Sequence, residues 1–81
     1  MQVRTLFFAG YKDALGTGSL EVDVPEGSTV GELVLRLRSR GAPFDRLPAL
    51  PAVAVNRTLV RGDARLAPGD EIAFLPPVAG G

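Results

Sequence analysis

The chain has 81 residues, 46% of them apolar, and its nine basic and nine acidic side chains cancel, which suits one domain burying about 60 to 65% of its unfolded surface. With neither Cys nor His it lacks a thiolate nucleophile, a disulfide, an imidazole base and the soft or borderline metal ligands, which removes most small-enzyme mechanisms and any iron–sulfur cluster. Balanced charge leaves no footprint for nucleic acid or an anionic membrane, no apolar run nears the roughly 20 residues of a bilayer span, and no secretory leader is legible, so a soluble cytoplasmic protein is expected.

Val3 to Phe8 has the β-branched and aromatic content of a strand, with Val3, Thr5 and Phe7 on one face and Arg4, Leu6 and Phe8 on the other. Thr5 is a polar residue on an inward face and needs a hydrogen-bond partner. Gly10 to Gly18 is a connection with room for one helical turn, carrying Tyr11, Lys12 and Leu15. Leu20 to Val24 then alternates cleanly, with Leu20, Val22 and Val24 inward, so the first two strands form an antiparallel pair.

Pro25-Glu26-Gly27 ends that strand, and Ser28 or Thr29 caps a helix, with Glu32 as the capping-box partner of Thr29. Val30, Leu33, Val34 and Leu37 repeat at helical spacing and form one buried stripe. Arg36, Arg38 and Arg40 complement the dipole at the helix end and read as a solvated face, and Gly41 supplies a left-handed terminus. Pro43, Pro48 and Pro51 oppose regular structure in the crossover, where Phe44, Leu47 and Leu50 are expected to tuck onto the core. Ala52 to Val55 is a buried strand, Asn56-Arg57 a tight turn, and Thr58 to Val60 a short returning strand. Leu66 rejoins the core. Pro68-Gly69-Asp70 turns into a last strand, Glu71 to Leu75, with Ile72 and Phe74 inward and Ala73 and Leu75 outward.

Two strand pairs flanking one helix make an α+β, β-grasp (ubiquitin-like) arrangement, a mixed sheet of about four to five strands with one main helix packed on one face. Residues 1–75 form the domain and residues 76–81 a flexible C-terminal tail. The sheet face away from the helix carries Leu6, Phe8 and Leu75, with Leu59, as an apolar docking patch.

The tail carries the chemistry. Pro76 and Pro77 have no amide hydrogen, so strand pairing stops there and the chain is launched outward. Six residues span up to about 20 Å at roughly 3.3 Å each, enough to enter another protein's site. Gly80 and Gly81 have no Cβ and pass a narrow channel. A terminal carboxylate is ionised at neutral pH and a poor electrophile, so it must first become an acyl-adenylate or similar anhydride. That requires ATP used by an activating partner, because this chain has no phosphate loop. Sulfur attack on the adenylate would leave a thiocarboxylate.

On Leu6-Phe7-Phe8-Ala9, Val53-Ala54-Val55-Asn56 and the run Gly69 to Gly81, the whole chain resembles the MoaD family of ubiquitin-like sulfur carriers, the small subunits of molybdopterin synthase. The resemblance implies that Gly81 is adenylated by a ubiquitin-activating-type adenylyltransferase (MoeB-like) and converted to a thiocarboxylate. It implies further that the tail enters a large subunit (MoaE-like) and gives its sulfur to cyclic pyranopterin monophosphate. Phe8, Leu59 and Leu75 would dock on that subunit, with Lys12 near the contacts. No cofactor would be bound permanently, and the chain would act as one subunit of a sulfurtransferase, not as a catalyst alone. The crossover is less helical than the family leads one to expect. Three other readings share the fold: a sulfur carrier for thiamine or tRNA thiolation, a ubiquitin-like modifier conjugated through Gly81, and a β-grasp domain without tail chemistry.

Overall fold

The computed structural model describes residues 1–76. Among them are five strands, β1 (Gln2–Phe7), β2 (Ser19–Asp23), β3 (Ala52–Val55), β4 (Thr58–Val60) and β5 (Glu71–Leu75), and two helices, α1 (Ala9–Leu15) and α2 (Val30–Arg38), with a short 3₁₀ turn at Phe44–Arg46. The strands lie in one sheet in the order β2-β1-β5-β3-β4. All neighbours are antiparallel except the central pair, β1 and β5, which run parallel with Arg4 opposite Glu71 and Phe7 opposite Phe74. A parallel pair cannot be closed by a tight turn, and here α2 and the chain that follows it make the crossover. This is the β-grasp arrangement expected from the element order.

The core lies between the sheet and α2. Alternation sends Val3, Thr5 and Phe7 of β1, Val53 of β3 and Ile72 and Phe74 of β5 inward, all buried. The helix answers with Val30, Leu33, Val34 and Leu37. Phe7 and Phe74 meet at 5.2 Å between ring centroids, and Phe44 of the 3₁₀ turn stands 6.5 Å from Phe7, within the range where tilted aromatic pairs attract beyond their buried area. The buried hydroxyl of Thr5 donates to the Leu20 carbonyl at 2.7 Å, which resolves the one polar residue on the inward face.

The start of α2 is fully accounted for. Thr29 Oγ1 accepts from the Glu32 amide (3.2 Å) and the Glu32 carboxylate accepts from the Thr29 amide (2.9 Å), a complete capping box. The amides of Val30 and Gly31 donate to the carbonyls of Ala64 (2.9 Å) and Gly62 (2.8 Å). Residues 62–66 thus strap the helix start, and Gly31 suits the close approach there, since a Cβ would stand a tight 3.3 Å from the Gly62 oxygen. The far end of α2 turns at Gly41, with φ of 85°.

Asn56 and Arg57 have φ of 49° and 72°, the two left-handed residues of a type I′ hairpin joining β3 to β4. The Asn56 amide side chain is bound at both ends: its Nδ2 donates to Asp70 (2.9 Å) and its oxygen accepts from the Glu71 amide (3.0 Å). This pins the hairpin to the turn before β5.

Three expectations are corrected. The Gly10 to Gly18 connection holds a two-turn helix, α1, closed by Gly16 at φ 75° with its amide on the Lys12 carbonyl. Phe8 is not a paired strand residue but the extended residue before α1 (φ −122°, ψ 157°). Leu50, expected on the core, is 91% exposed, because the flanking Pro48 and Pro51 hold it on an outer bend; Leu47 is buried and Phe44 packs against the core as expected.

The capping box makes a measurable contribution. Thr29→Ala is expected to lower unfolding stability by about 1 kcal/mol in urea titrations. Hydrogen bonds from the Thr29 amide and then its hydroxyl, aided by Arg65, hold the Glu32 carboxyl below its ordinary value of 4.5. A carboxyl lowered in the folded state stabilises the protein above its ordinary value and loses that contribution as pH falls through the folded one. Thermal melts of the parent and Glu32→Gln are therefore expected to differ most near neutrality and to converge as pH drops below 4.5.

Candidate functional site

The strand registers place an apolar row across the outer face of the sheet. Leu6 is opposite Ala73, Ala73 opposite Ala54, and Ala54 opposite Leu59, with Ser19 closing the row at β2. The next outward row pairs Leu75 with Ala52, and Phe8, extended beyond β1, continues the same alternation beside Leu75. On the other side the face turns polar at Glu21, Arg4 and Glu71, which are again in register. Arg4 and Glu21 approach to 3.9 Å, an exposed pair that contributes little to stability but marks the rim. The four apolar residues expected to form a docking patch are thus brought onto one face. Phe8 is 47% exposed and Leu59 71%.

Two small residues central to this face, Ala54 and Ala73, were not singled out as contacts from the sequence. Ala73 was legible as outward from the alternation of β5. Ala54 belongs to the stretch read from the sequence as a buried strand, and it is buried, at 9% exposure, in the outward row opposite Ala73, while Val53 and Val55 face the helix side.

Direction follows from the parallel pair. Because β5 runs alongside β1, its end at Leu75 emerges where β1 ends, next to Phe8 and the start of α1. Pro76, which has no strand assignment, is the last described residue. Pro77, Gly80 and Gly81, and with them the launch dipeptide's second half and the proposed reactive terminus, lie outside the described residues. Lys12 is exposed on α1 and does not join the apolar row; its stem runs past Gly18, with Cε 3.4 Å from where a Gly18 Cβ would stand. It shares the tail end of the sheet, on the β2 side.

A concavity of about 500 Å³ lies on the flank of α2 between Pro25, Ser28, Glu32, Leu35, Arg36 and Ser39, away from every expected site residue. Among the described residues no three His, Cys, Asp or Glu side chains come together as metal ligands, and no helix is long and apolar enough to cross a membrane. What this surface can do chemically is exclude water against a matching apolar partner, beside the point where the chain leaves the sheet.

Residues 5–81 match the ThiS family. The chain belongs to that family. Over 81 residues it is 40% identical to the molybdopterin synthase sulfur carrier subunit of Escherichia coli (strain K12), covering 98% of this chain and 99% of that one. Among solved structures it is similar to a complex of subunits 1 and 2 of molybdopterin-converting factor from Helicobacter pylori 26695, with a TM-score of 0.71, 26% identity and full coverage of both chains. It is also similar to small archaeal modifier protein 1 of Haloferax volcanii, with a TM-score of 0.73 and 28% identity over 95% of this chain and 98% of that one. The resemblance to molybdopterin synthase small subunits read from the sequence is upheld by these relatives, and so is the ubiquitin-like β-grasp fold.

The split between core and outer face can be tested directly. Leu59→Ser is expected to change unfolding stability by no more than about 0.5 kcal/mol. Phe74→Ala, two strands across the sheet and inward, is expected to cost about 3 to 5 kcal/mol in the same denaturant titrations.

Proposed function

We propose that this ThiS-family chain is the sulfur-carrier subunit of a molybdopterin synthase, with the carboxyl group of Gly81 as its working atom set. The observation that carries the reading is the 40% identity with a named sulfur carrier subunit along essentially the whole of both chains, a similarity that no single motif could produce. In this reading an ATP-using adenylyltransferase joins the Gly81 carboxylate to AMP with release of pyrophosphate. A sulfur donor then displaces AMP, leaving a thiocarboxylate in which one oxygen has been replaced by sulfur. The tail delivers that sulfur to cyclic pyranopterin monophosphate inside a large subunit.

The outer face supports the second half of this account. Leu6, Phe8, Leu59 and Leu75, with Ala54 and Ala73 between them, would seat the large subunit, and the parallel pair brings the end of β5 beside that seat. The Helicobacter pylori structure, a complex of subunits 1 and 2, makes a two-subunit assembly the natural expectation for this chain. A flat centre of alanines flanked by larger apolar groups suits burial of a ridge on the partner, and loss of one anchor from such a centre costs on the order of 2 kcal/mol.

A second reading, a protein modifier joined through Gly81 to lysines of other proteins, is favoured by the likeness to small archaeal modifier protein 1. It uses the same adenylate but a nitrogen nucleophile. The two readings separate in one experiment. The protein is incubated with ATP, a cognate adenylyltransferase and a sulfur donor, and its intact mass is measured. The carrier reading expects a mass increase matching exchange of one oxygen for sulfur, abolished by deletion of Gly81, whereas a ladder of conjugates without that species would replace it by the modifier reading. Leu59→Asp is expected to weaken binding to the large subunit at least tenfold while leaving thiocarboxylate formation intact.

A further inference from the structure

The sheet is open, with β2 and β4 at its two ends. The backbone groups that each edge turns outward follow from the ladders. The Val24 amide donates to the Met1 carbonyl at 2.9 Å, the Met1 amine to the Val24 carbonyl at 2.7 Å, and the Phe7 amide to the Gly18 carbonyl at 3.0 Å. Bonded positions alternate in an antiparallel pair, so Leu20 and Val22 bond to β1, while the amides and carbonyls of Ser19, Glu21 and Asp23 point away from the sheet. Thr17 covers the first of these, its hydroxyl donating to the Ser19 carbonyl at 2.7 Å and accepting from the Ser19 amide at 3.4 Å. The outward groups of Glu21 and Asp23 are left without a partner among the described residues. On β4 the two-residue turn makes Val55 and Thr58 the bonded closing pair, so Leu59, opposite Ala54, turns its amide and carbonyl outward.

The two edges carry opposite charge. Glu21 and Asp23 flank the open backbone of β2, and Arg57 and Arg61 stand on either side of Leu59; all four charged side chains are exposed. The carboxylates have only the loose contacts of Arg4 at 3.9 Å and the Met1 amine at 3.7 Å, and neither guanidinium is in an ion pair among the described residues. Pairing two β2 edges would set carboxylate against carboxylate, and pairing two β4 edges guanidinium against guanidinium, both unfavourable across a ladder. Only the unlike edges fit. Strand direction agrees: β2 opposes β1, β1 runs with β5, β5 opposes β3 and β3 opposes β4, so β4 and β2 are antiparallel and a second copy can join them without being turned over.

We propose that the chain associates head to tail with further copies of itself, β4 of one copy adding as an antiparallel strand to β2 of the next. Leu59 and Glu21 then exchange both backbone hydrogen bonds, Asp23 stands opposite Arg57, and Glu21 lies diagonally between Arg57 and Arg61. In the same register Val60 meets Leu20 on the helix side, and these two residues, each half-buried against its own core, cover one another. Leu50, 91% exposed beside Val60 and Arg61, lies at the same seam. The two surfaces are different patches of one molecule, so each addition leaves a free edge of each kind and assembly continues past the dimer. A three-residue strand and exposed charges make the contact weak and salt-sensitive. The seam uses the backbone of Leu59 and leaves its side chain on the outer face, and it is independent of the reading of Gly81.

Sedimentation equilibrium of the full chain, from micromolar to millimolar concentration at low ionic strength, tests this. The parent is expected to begin at the 8.5 kDa monomer and to rise beyond twice that mass with no plateau at the dimer. Two charge-reversed variants locate the seam. Glu21→Arg combined with Asp23→Arg makes both edges basic, and Arg57→Glu combined with Arg61→Glu makes both acidic. Each alone is expected to stay monomeric at millimolar concentration, and an equimolar mixture of the two to assemble as the parent does, a recovery that also shows both variants to be folded. A parent that remains monomeric throughout, a parent that stops at the dimer, a variant that assembles alone like the parent, or a mixture that stays monomeric would overturn the proposal. None of these results bears on thiocarboxylate formation, so the carrier reading stands or falls separately.

Discussion

The parallel pairing of β1 with β5 is the constraint on which the other features depend. It puts Phe7 against Phe74 at the centre of the core, and it obliges the chain between the two strands to cross over the sheet, which is where α2 packs its stripe. The same pairing determines direction: the chain leaves β5 at the edge where β1 gives way to α1. A shift of one residue in this register would exchange Phe74 for Ala73 or Leu75 at the core and carry the outer apolar row inward. Core, outer apolar face and exit are therefore consequences of one ladder.

The molecule divides its two faces by residue size as much as by polarity. Inward positions hold Phe, Ile, Val and Leu against the helix, while the outer face sets Ala54 and Ala73 between larger groups at Leu6, Leu59, Leu75 and Phe8. Small residues in a sheet centre leave the backbone close to any covering surface, and their larger neighbours form its walls. The polar row of Glu21, Arg4 and Glu71 bounds the apolar area on the side away from the end of β5.

Much of this was legible in the sequence wherever one local rule dominates. Thr29 and Glu32 sit three apart ahead of a helical repeat, and they form the capping box. Asn56 tolerates a positive φ and begins a two-residue turn. Strict alternation in Leu20 to Val24 and Glu71 to Leu75 told inside from outside. Where rules compete, the reading failed. Gly10, Gly16 and Gly18 punctuate α1 so heavily that turn chemistry outweighed helix propensity, and with Leu15 its single buried residue the helix shows no apolar repeat. Leu50 is apolar without periodicity, and nothing but tertiary packing decides that Leu47 is buried while Leu50 is not. The outward aspect of Ala54 required the register with Ala73, which is a property of two distant strands. The tail was read from chemistry alone, from residues with no amide hydrogen and no side chain.

The central claim is that the outer sheet face and the chain leaving β5 form one contact surface for the large subunit. Backbone amide chemical shifts of the isotopically labelled protein, recorded while unlabelled large subunit is added, test it most directly. The account expects the largest changes at Leu6, Phe8, Ala54, Leu59, Ala73 and Leu75 and in residues 78–81, with the exposed flank of α2 around Leu35 and Arg36 unchanged. Changes concentrated on that flank, with the outer face unaffected, would contradict it.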